Sequence, residues 1–298
     1  MGKGSRTREA AQLRVAQMRA EEARRDKRHR MMVAWGSVAG VLVLVAALVG
    51  VKIATNGTQS TPASAAGLAS PAIVSELSTV PSATTNAVGA GSVTTKPVAI
   101  TAPALTSGGL PRILYDGAEY CPFCAGERWA VAVALSRFGT WSNLGVTTSS
   151  STDIYPSTAT LAFHGATYTS SYLTFTGYEE TTNQPQGSSY VPLDTLPSAD
   201  QAIVSKYDAV PYVSSSSAGS IPFVDIGGQF VISGASYDVS VLQGKTHEQI
   251  AAALKDPTSA ISKAIIGTAN VITADICKAT GNVPASVCTA PGVVAAGA

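Results

Sequence analysis

The chain has 298 residues, of which 45% are hydrophobic and only 13% are charged, so it holds ample apolar material for a packed core in one to two domains. Residues 1–30 carry ten Lys and Arg against four acidic residues, a balance of +6, so the remaining residues carry −5 of the net charge of +1. That acidic balance argues against a nucleic-acid-binding surface on the larger part of the chain.

A basic arm and an apolar stretch open the chain. Residues 1–30 are typical of a solvated cytoplasmic arm that touches anionic lipid, and they contain no base-reading motif. Residues 31–52 include twenty-one uncharged residues, Met31 to Val51, close to the length that a helix needs to cross the ~30 Å bilayer core. This stretch is too long for a cleavable signal peptide, and the positive-inside rule keeps the arm in the cytoplasm. The sequence therefore predicts an uncleaved, single-pass signal anchor in the cell membrane, with an extracytoplasmic C-terminal domain.

Residues 53–70 are rich in Ser, Thr, Ala and Gly, a composition that predicts a flexible linker. Pro71 and the apolar positions 73, 74, 77 and 80 then predict a short amphipathic helix. The charge-poor stretch up to Gly109 indicates an irregular lead-in to a strand at Ile113–Tyr115. We therefore expect the folded domain to run from residue 71 to residue 298.

Two cysteines with two residues between them, Cys121 and Cys124, lie between that strand and a run of helix formers, Ala125 to Leu135. Pro122 suits the first position of a helix, so the helix is expected to start near Cys121. The partial positive charge of a helix N-terminus lowers the pKa of a cysteine below about 8.5 and populates the nucleophilic thiolate. The pattern therefore indicates a redox-active pair.

Two other interpretations of this pair stay open from the residues alone. A zinc site would need further ligands, but Cys277 and Cys288 are not spaced as a second Cys-x-x-Cys, so we expect no metal and no cofactor. A permanently closed structural disulfide is also compatible with an exterior location.

The chain beyond the cysteines alternates between helix and strand patterns. The apolar helix stops at Gly139, and Leu144–Val146 is expected to form a second parallel strand after a right-handed crossover. Residues from about 147 to 219 form a β-rich insertion, in which substrate selectivity is expected to lie. The insertion is expected to contain two strands (Thr158–Phe163 and Tyr172–Tyr178), a solvated His164, a short helix (Asp200–Tyr207) and a loop (Ser214–Ser217).

A hairpin and two helices are expected to complete the domain. The apolar runs after Pro222 and after Gly227-Gly228 predict the hairpin. Thr246 to Gln249 form a capping box, and Asp256-Pro257 is expected to start a longer helix that ends near Gly281. Outside the cell, Cys277 and Cys288 are expected to form a structural disulfide, with a second redox pair as the rival hypothesis.

The motif Ala118-Glu119-Tyr120-Cys121-Pro122-Phe123-Cys124, with Ile221-Pro222 before a hairpin, resembles the thioredoxin fold. In that fold the proline is cis and faces the cysteine pair. More narrowly, the segment from Tyr115 to Thr140 resembles a family of membrane-anchored, thioredoxin-like proteins of uncharacterised function from actinobacteria and archaea. The resemblance covers about residues 71–298.

The resemblance implies that Cys121 attacks and Cys124 resolves, and that Ile221, Pro222 and Tyr120 bind the substrate. The chain departs from thioredoxins where they have a buried Asp six residues before the first cysteine, because this position is Tyr115 here. Asp116 is one residue off, and a shift of one residue in a strand turns a side chain to the opposite face. No internal proton acceptor follows from the sequence.

We therefore expect an α/β protein with a thioredoxin-like mixed sheet, flanking helices, a β-rich insertion and one N-terminal transmembrane helix. The expected function is thiol-disulfide exchange on protein thiols or disulfides, with a membrane redox partner and the lipid bilayer as further partners, and no nucleic acid. The alternative is a non-catalytic binding or envelope-assembly protein with a structural disulfide. The dipeptide Pro122-Phe123 does not fix the direction of the redox reaction.

Overall fold

The structure is a computed structural model that describes residues 67–298. The predicted basic arm (1–30), the signal anchor (31–52) and most of the linker (53–70) lie outside the described residues. Within the described residues, one helix, Ala260–Ala279, is long and apolar enough to cross a membrane, but 89% of its apolar window is buried inside the domain. It packs against the helix that follows Cys121, as a core helix does.

The helices of residues 67–298 are α1 (Pro71–Ser78), α2 (Ser82–Val88), α3 (Pro122–Ser136), α4 (Ser198–Tyr207), α5 (His247–Ala253), α6 (Ala260–Ala279), α7 (Ala285–Cys288) and α8 (Pro291–Ala296), with a 3-10 turn at Val239–Leu242. The strands are β1 (Gly67–Leu68), β2 (Val98–Ala99), β3 (Thr106–Ser107), β4 (Leu110–Gly117), β5 (Gly139–Ser142), β6 (Gly145–Thr148), β7 (Ala159–Ala162), β8 (Thr167–Ser170), β9 (Thr174–Glu179), β10 (Thr181–Gln186), β11 (Ser189–Pro192), β12 (Phe223–Ile226) and β13 (Phe230–Ser233). The domain is therefore mixed α/β.

The central sheet has the order β9-β4-β12-β13-β2, and β3 pairs with the start of β4. β4 and β9 are parallel, with α3 between them in sequence, whereas β12 and β13 form an antiparallel hairpin whose first strand pairs with β4. The predicted hairpin is confirmed, and its loop uses Gly227 and Gly228 at φ values of +64° and +73°, a region that favours glycine. This topology puts the start of β12 beside the end of β4, where the chain enters α3.

The two faces of the sheet bury different groups, because successive side chains of a strand point to opposite faces. One face carries Val224 and Tyr115, which belong to the large core that includes α3 and α6. The other face carries Phe223, which packs with Tyr207 of α4 and with Val231. Helix α3, which begins at the two cysteines, is therefore buried in the interior, as its apolar sequence predicted.

Helix α3 begins and ends where the sequence indicated. Cys121 is its N-cap residue, Pro122 occupies the first helical position, and Gly139 follows soon after its last turn. The predicted helices at residue 71 and at residues 200–207 and the capping box of Thr246 and Gln249 are likewise present. These features depend on local chemistry, which a single sequence displays.

The prediction that Leu144–Val146 forms the second parallel strand was wrong. β6 pairs antiparallel with β7 and with β1 in a separate three-stranded sheet, and β9 takes the parallel place beside β4. Six residues of β9 pair with β4, whereas β6 has only four residues in all. The longer strand β9 can therefore pair with β4 from Arg112 to Gly117, which β6 is too short to do.

Three further expectations need correction. The stretch before β4 is not irregular, since it forms α2, β2 and β3, and the side chain of Asn270 donates hydrogen bonds to the carbonyls of Thr85 and Gly89 around the end of α2. The last linker residues are not free, because β1 pairs with β6. The long C-terminal helix starts at Ala260 rather than at Pro257, because Ser259 caps it. Tertiary contacts and a nearer cap decided these cases.

Candidate active site

The two thiols of Cys121 and Cys124 lie at the N-terminus of α3, with different exposure. Cys121 is 5% exposed and Cys124 is fully buried, and both are free cysteines. The backbone N–H of Cys124 donates to Sγ of Cys121 over 3.3 Å, so the sulfur occupies the capping position of the helix. The arrangement presents one sulfur outward and holds the other behind it.

The carbonyl oxygen of Ile221 lies 3.6 Å from Sγ of Cys121, although the two residues are 100 positions apart in the chain. The Ile221–Pro222 peptide bond is cis. The contact follows from the sheet, because β12 begins at Phe223 and pairs with Asp116 near the end of β4. The structure thus brings together Cys121, Cys124, Ile221 and Pro222.

Electrostatics separate the two thiols. The hydrogen bond with the Cys124 side chain lowers the pKa of Cys121 most, and the backbone N–H of Cys124 and the charge of Arg128 lower it further, against the opposing effect of burial. Burial raises the pKa of Cys124 well above its ordinary value, and the neighbouring Cys121 raises it further. Of the two thiols, Cys121 is therefore the one that ionises more readily.

An open groove of about 350 Å³ lies beside Ile221, the residue whose carbonyl contacts Sγ of Cys121. Phe123, Ile221, Tyr155, Ala235 and Tyr237 contribute to its lining. The ring of Phe123 is 40% exposed and meets Tyr155 edge to face, with 6.1 Å between ring centroids. The groove offers apolar surface near the residues that contact Cys121.

The β-rich insertion also contacts Tyr120, the residue directly before Cys121. The ring of Tyr120 stacks on Tyr190 of β11, with 4.2 Å between centroids and 5° between planes. The hydroxyl of Tyr190 donates to Oγ of Ser150, and the N–H of Ser150 donates to the carbonyl of Tyr120. Tyr120 is therefore held in place by residues from two parts of the insertion.

A buried ion pair that was not predicted from the sequence involves the same helix as the thiols. Arg128 of α3 and Glu179 at the end of β9 are both fully buried and share two hydrogen bonds, Nε to Oε1 at 2.7 Å and Nη2 to Oε2 at 2.6 Å. One signal was available, since Glu127 and Arg128 are the charged residues within an otherwise apolar α3. Charged side chains are almost never fully buried unless they are paired.

Tyr115 and Asp116 point to opposite faces of the sheet. Tyr115 lies on the α3 side with its hydroxyl buried and without a hydrogen-bond partner among residues 67–298, and burial raises its pKa well above the usual range. Asp116 lies on the α4 side, where burial, with help from Glu180, raises its pKa to about 7. Asp116 therefore does not lie behind the thiols.

His164 has a hydrogen-bond partner that the sequence did not indicate, while its side chain remains 24% exposed. Its Nδ1 lies 2.8 Å from Oδ1 of Asp194, and Oδ2 of Asp194 accepts the backbone N–H of Glu179. The partner comes from 30 residues further along the chain, so no local pattern revealed it.

Cys277 and Cys288 form a disulfide that ties the end of α6 to α7, with 5.6 Å between Cα atoms. The two cysteine pairs are therefore separate in this structure. Within residues 67–298, no group of three or more His, Cys, Asp or Glu side chains is arranged to hold a metal ion.

Fold and site together define a mixed α/β protein that carries two free thiols at the N-terminus of a buried helix. Residues 96–278 match the family DUF929, a domain of unknown function, and since the match covers more than half of the chain, the chain belongs to this family. No curated protein and no solved structure matches the chain.

Proposed function

We propose that the chain is a membrane-anchored, extracytoplasmic thiol-disulfide oxidoreductase with a thioredoxin-like fold, which acts on protein thiols or disulfides through Cys121 and Cys124. The observation that carries the proposal is the position of Sγ of Cys121, at a helix N-terminus and 3.6 Å from the carbonyl of Ile221. A β-α-β unit followed by an antiparallel hairpin in one sheet supports the thioredoxin-like part. The charge pattern and apolar length of residues 1–52 support the membrane anchor.

The exchange reaction runs through a mixed disulfide. The thiolate of Cys121 attacks one sulfur of a substrate disulfide, a new S–S bond forms, and the second substrate sulfur leaves as a thiolate. Cys124 then attacks Sγ of Cys121, which releases the first substrate sulfur and closes the Cys121–Cys124 disulfide. Two electrons pass from the pair to the substrate, and the reverse sequence oxidises a substrate dithiol.

The first step of this mechanism prepares the second. Part of the rise in the pKa of Cys124 comes from the hydrogen bond with Cys121 and from the charge of its sulfur. Once Cys121 is in the mixed disulfide, that charge and that hydrogen bond are lost, so the Cys124 thiol gives up its proton more readily. The resolving cysteine is thus activated when it is needed.

The surroundings of Cys121 suit a polypeptide substrate. The carbonyl of Ile221 can accept a hydrogen bond from a substrate backbone N–H, and the groove beside Phe123 accommodates an apolar side chain next to the reacting cysteine. Tyr120, whose ring stacks on Tyr190, directly precedes Cys121 in the chain. Extended polypeptides bind in this way where main-chain groups give affinity and pockets give specificity.

The test uses the full-length chain, purified in mild detergent, and a peptide with a fluorescent disulfide. We expect Cys121→Ser to abolish exchange and Cys124→Ser to accumulate a mixed disulfide at Cys121, detected by mass spectrometry. The double variant Cys277→Ala, Cys288→Ala is the control and should retain exchange. Unchanged exchange in Cys121→Ser would end the proposal.

A redox titration separates the proposed catalyst from the non-catalytic alternative. A structural disulfide at Cys121 and Cys124 should stay oxidised down to about −300 mV or lower, whereas a catalytic pair titrates at a higher potential. The free, unequal thiols of the structure favour the catalytic outcome.

A further inference from the structure

Helix α3 carries two charged residues, and each is fully buried. The carboxylate of Glu127 is satisfied by the N–H and the hydroxyl of Ser236, each at 2.9 Å. Arg128 lies four residues after Cys124 and seven after Cys121, so the three side chains share one face of the helix. Arg128 is therefore the cation placed beneath the dithiol.

The guanidinium of Arg128 is fixed to the turn that carries Cys121. Its Nη2 donates to the carbonyl of Ala118 over 2.6 Å, and the backbone N–H of Cys121 donates to the same carbonyl over 3.2 Å. Nε and Nη2 of Arg128 donate hydrogen bonds to the carboxylate of Glu179. The backbone N–H of Phe163 donates to Oε1 of the same carboxylate. Nη1 of Arg128 has no hydrogen-bond partner among residues 67–298.

Stability does not account for this pair. Removing two charges from water costs several kcal/mol per ion, and well-packed apolar side chains often replace a buried ion pair without loss of stability. A buried arginine tied to the active-site turn, with one nitrogen left unpaired, is instead suited to act on the charge of a neighbouring group. The neighbouring group whose charge changes during exchange is the sulfur of Cys121.

The other titratable groups around Cys121 carry no counter-charge for its thiolate. Cys124, on the same helix, and Tyr115, on β4, are neutral because burial raises the pKa of each well above its usual range. Tyr120 is likewise neutral, since burial raises its pKa. The carboxylate of Glu179 accepts hydrogen bonds from Arg128 and from the N–H of Phe163, so its charge is paired with Arg128.

We propose that Arg128 is a positioning residue that keeps the sulfur of Cys121 ionised when the pair is reduced, that Glu179 limits this effect, and that the pair therefore oxidises polypeptide dithiols. This inference rests on the proposed exchange function. A stabilised thiolate favours the reduced pair over its disulfide and so makes the disulfide a stronger oxidant. The geometry thus gives the reaction a direction that the sequence of the motif left open.

The electron balance of the proposed direction is simple. A substrate thiolate attacks the Cys121–Cys124 disulfide at Sγ of Cys121, and Cys124 leaves and takes a proton. The second substrate thiolate attacks the first substrate sulfur, and Cys121 leaves as a thiolate beside Arg128. The substrate loses two electrons and becomes a disulfide, and a low-molecular-weight disulfide such as oxidised glutathione takes the two electrons from the pair to restore it.

The test measures the rate of iodoacetamide alkylation of Cys121 against pH in the full-length reduced chain, together with the reduction potential of the pair. We expect Arg128→Met to raise the pKa of Cys121, to lower the alkylation rate on the acid side of the pH profile by up to about tenfold, and to make the pair less oxidising. We expect Glu179→Gln to change both quantities in the opposite direction. Arg128→Lys keeps the charge but not the bidentate geometry, so its alkylation profile should lie between those of Arg128→Met and the wild type.

Opposite changes in alkylation rate in Arg128→Met and Glu179→Gln would distinguish an electrostatic effect from a loss of stability. A loss of stability would affect both variants in the same direction, because removing either partner of a buried ion pair destabilises the fold. If Arg128→Met does not fold, the double variant Arg128→Met, Glu179→Gln removes both charges and carries the test, with slower alkylation expected. The matched control is Arg137→Gln at the other end of the helix, where Arg137 bonds to Asn270 and Thr273. This variant should alkylate as the wild type does.

Identical alkylation profiles in all Arg128 and Glu179 variants would overturn the inference even if exchange at Cys121 is intact. Conversely, a chain that alkylates as predicted but fails to exchange with any peptide would overturn the proposed function. The two failures are therefore distinguishable.

Discussion

At the scale of single residues, the chemistry of the site depends on the difference in pKa and exposure between Cys121 and Cys124, which are three positions apart in the chain. Sγ of Cys121 accepts the backbone N–H of Cys124, whereas the side chain of Cys124 is fully buried. The largest contribution to the low pKa of Cys121 is the hydrogen bond with the Cys124 side chain, ahead of the charge of Arg128. Each cysteine therefore sets the reactivity of the other.

This mutual dependence predicts the behaviour of Cys124→Ala. Without the thiol hydrogen bond, the pKa of Cys121 should rise, so its alkylation rate on the acid side of the pH profile should fall by up to about tenfold. Cys124→Ser, which retains a donor, should fall between the alanine variant and the wild type. The measurement is the alkylation rate of Cys121 by mass spectrometry from pH 5 to pH 10, and equal profiles for the two variants would contradict the role given to the hydrogen bond.

At the scale of elements, the insertion completes a surface that the central sheet and α3 do not provide alone. The hairpin of β10 and β11 supplies Tyr190, which stacks on Tyr120 directly before the cysteines. Backbone contacts reinforce this, because the N–H of Glu119 donates to the carbonyl of Thr181. The insertion thus positions the residue that precedes Cys121.

We expect Tyr190→Ala to weaken binding of a peptide dithiol without changing the thiols. Loss of a stacked aromatic pair removes about 0.5–1.5 kcal/mol beyond area burial, so KM should rise up to about tenfold while the alkylation profile of Cys121 stays the same. Tyr190→Phe is the matched control, because it keeps the stack and loses only the hydrogen bond to Ser150. Steady-state kinetics would count against the idea if both variants raised KM equally.

Of the elements that build the site, the start of α3 could be predicted from the sequence, whereas the ion pair of Arg128 could not. The N-cap at Cys121 and the start of α3 follow from Cys-Pro at a helix boundary, because capping involves residues within one turn. Glu179 lies 51 residues from Arg128, on strand β9, which pairs with β4. The sequence had predicted that Leu144–Val146 would take this place in the sheet. The ion pair was therefore out of reach once the strand was misplaced, although the charge within an apolar helix was visible.

At the scale of the whole molecule, buried carboxyl groups connect the fold to pH. Burial raises the pKa of Glu127 to about 7, of Asp116 to about 7 and of Asp225 to about 6, in each case as the largest effect. A raised pKa means that the folded state holds its proton more tightly than the unfolded state does. The corresponding stability is fully present below about pH 4 and is lost as pH rises through 6 and 7.

Glu127→Gln tests this dependence, because the amide can still accept the N–H of Ser236 and can donate to its hydroxyl. Full ionisation of Glu127 costs about 3 kcal/mol for a rise in pKa from 4.5 to about 7. The free energy of unfolding of the wild type should therefore fall between pH 5 and pH 8, and the variant should fall by about 3 kcal/mol less, as measured by urea unfolding. The exposed Glu248→Gln in α5 is the control and should keep the wild-type slope. If the free energy of unfolding of Glu127→Gln and of the wild type changed equally with pH, Glu127 would have its ordinary pKa. The groove residues Ala235 and Tyr237, on either side of Ser236, would then not be affected by the ionisation of this carboxyl group.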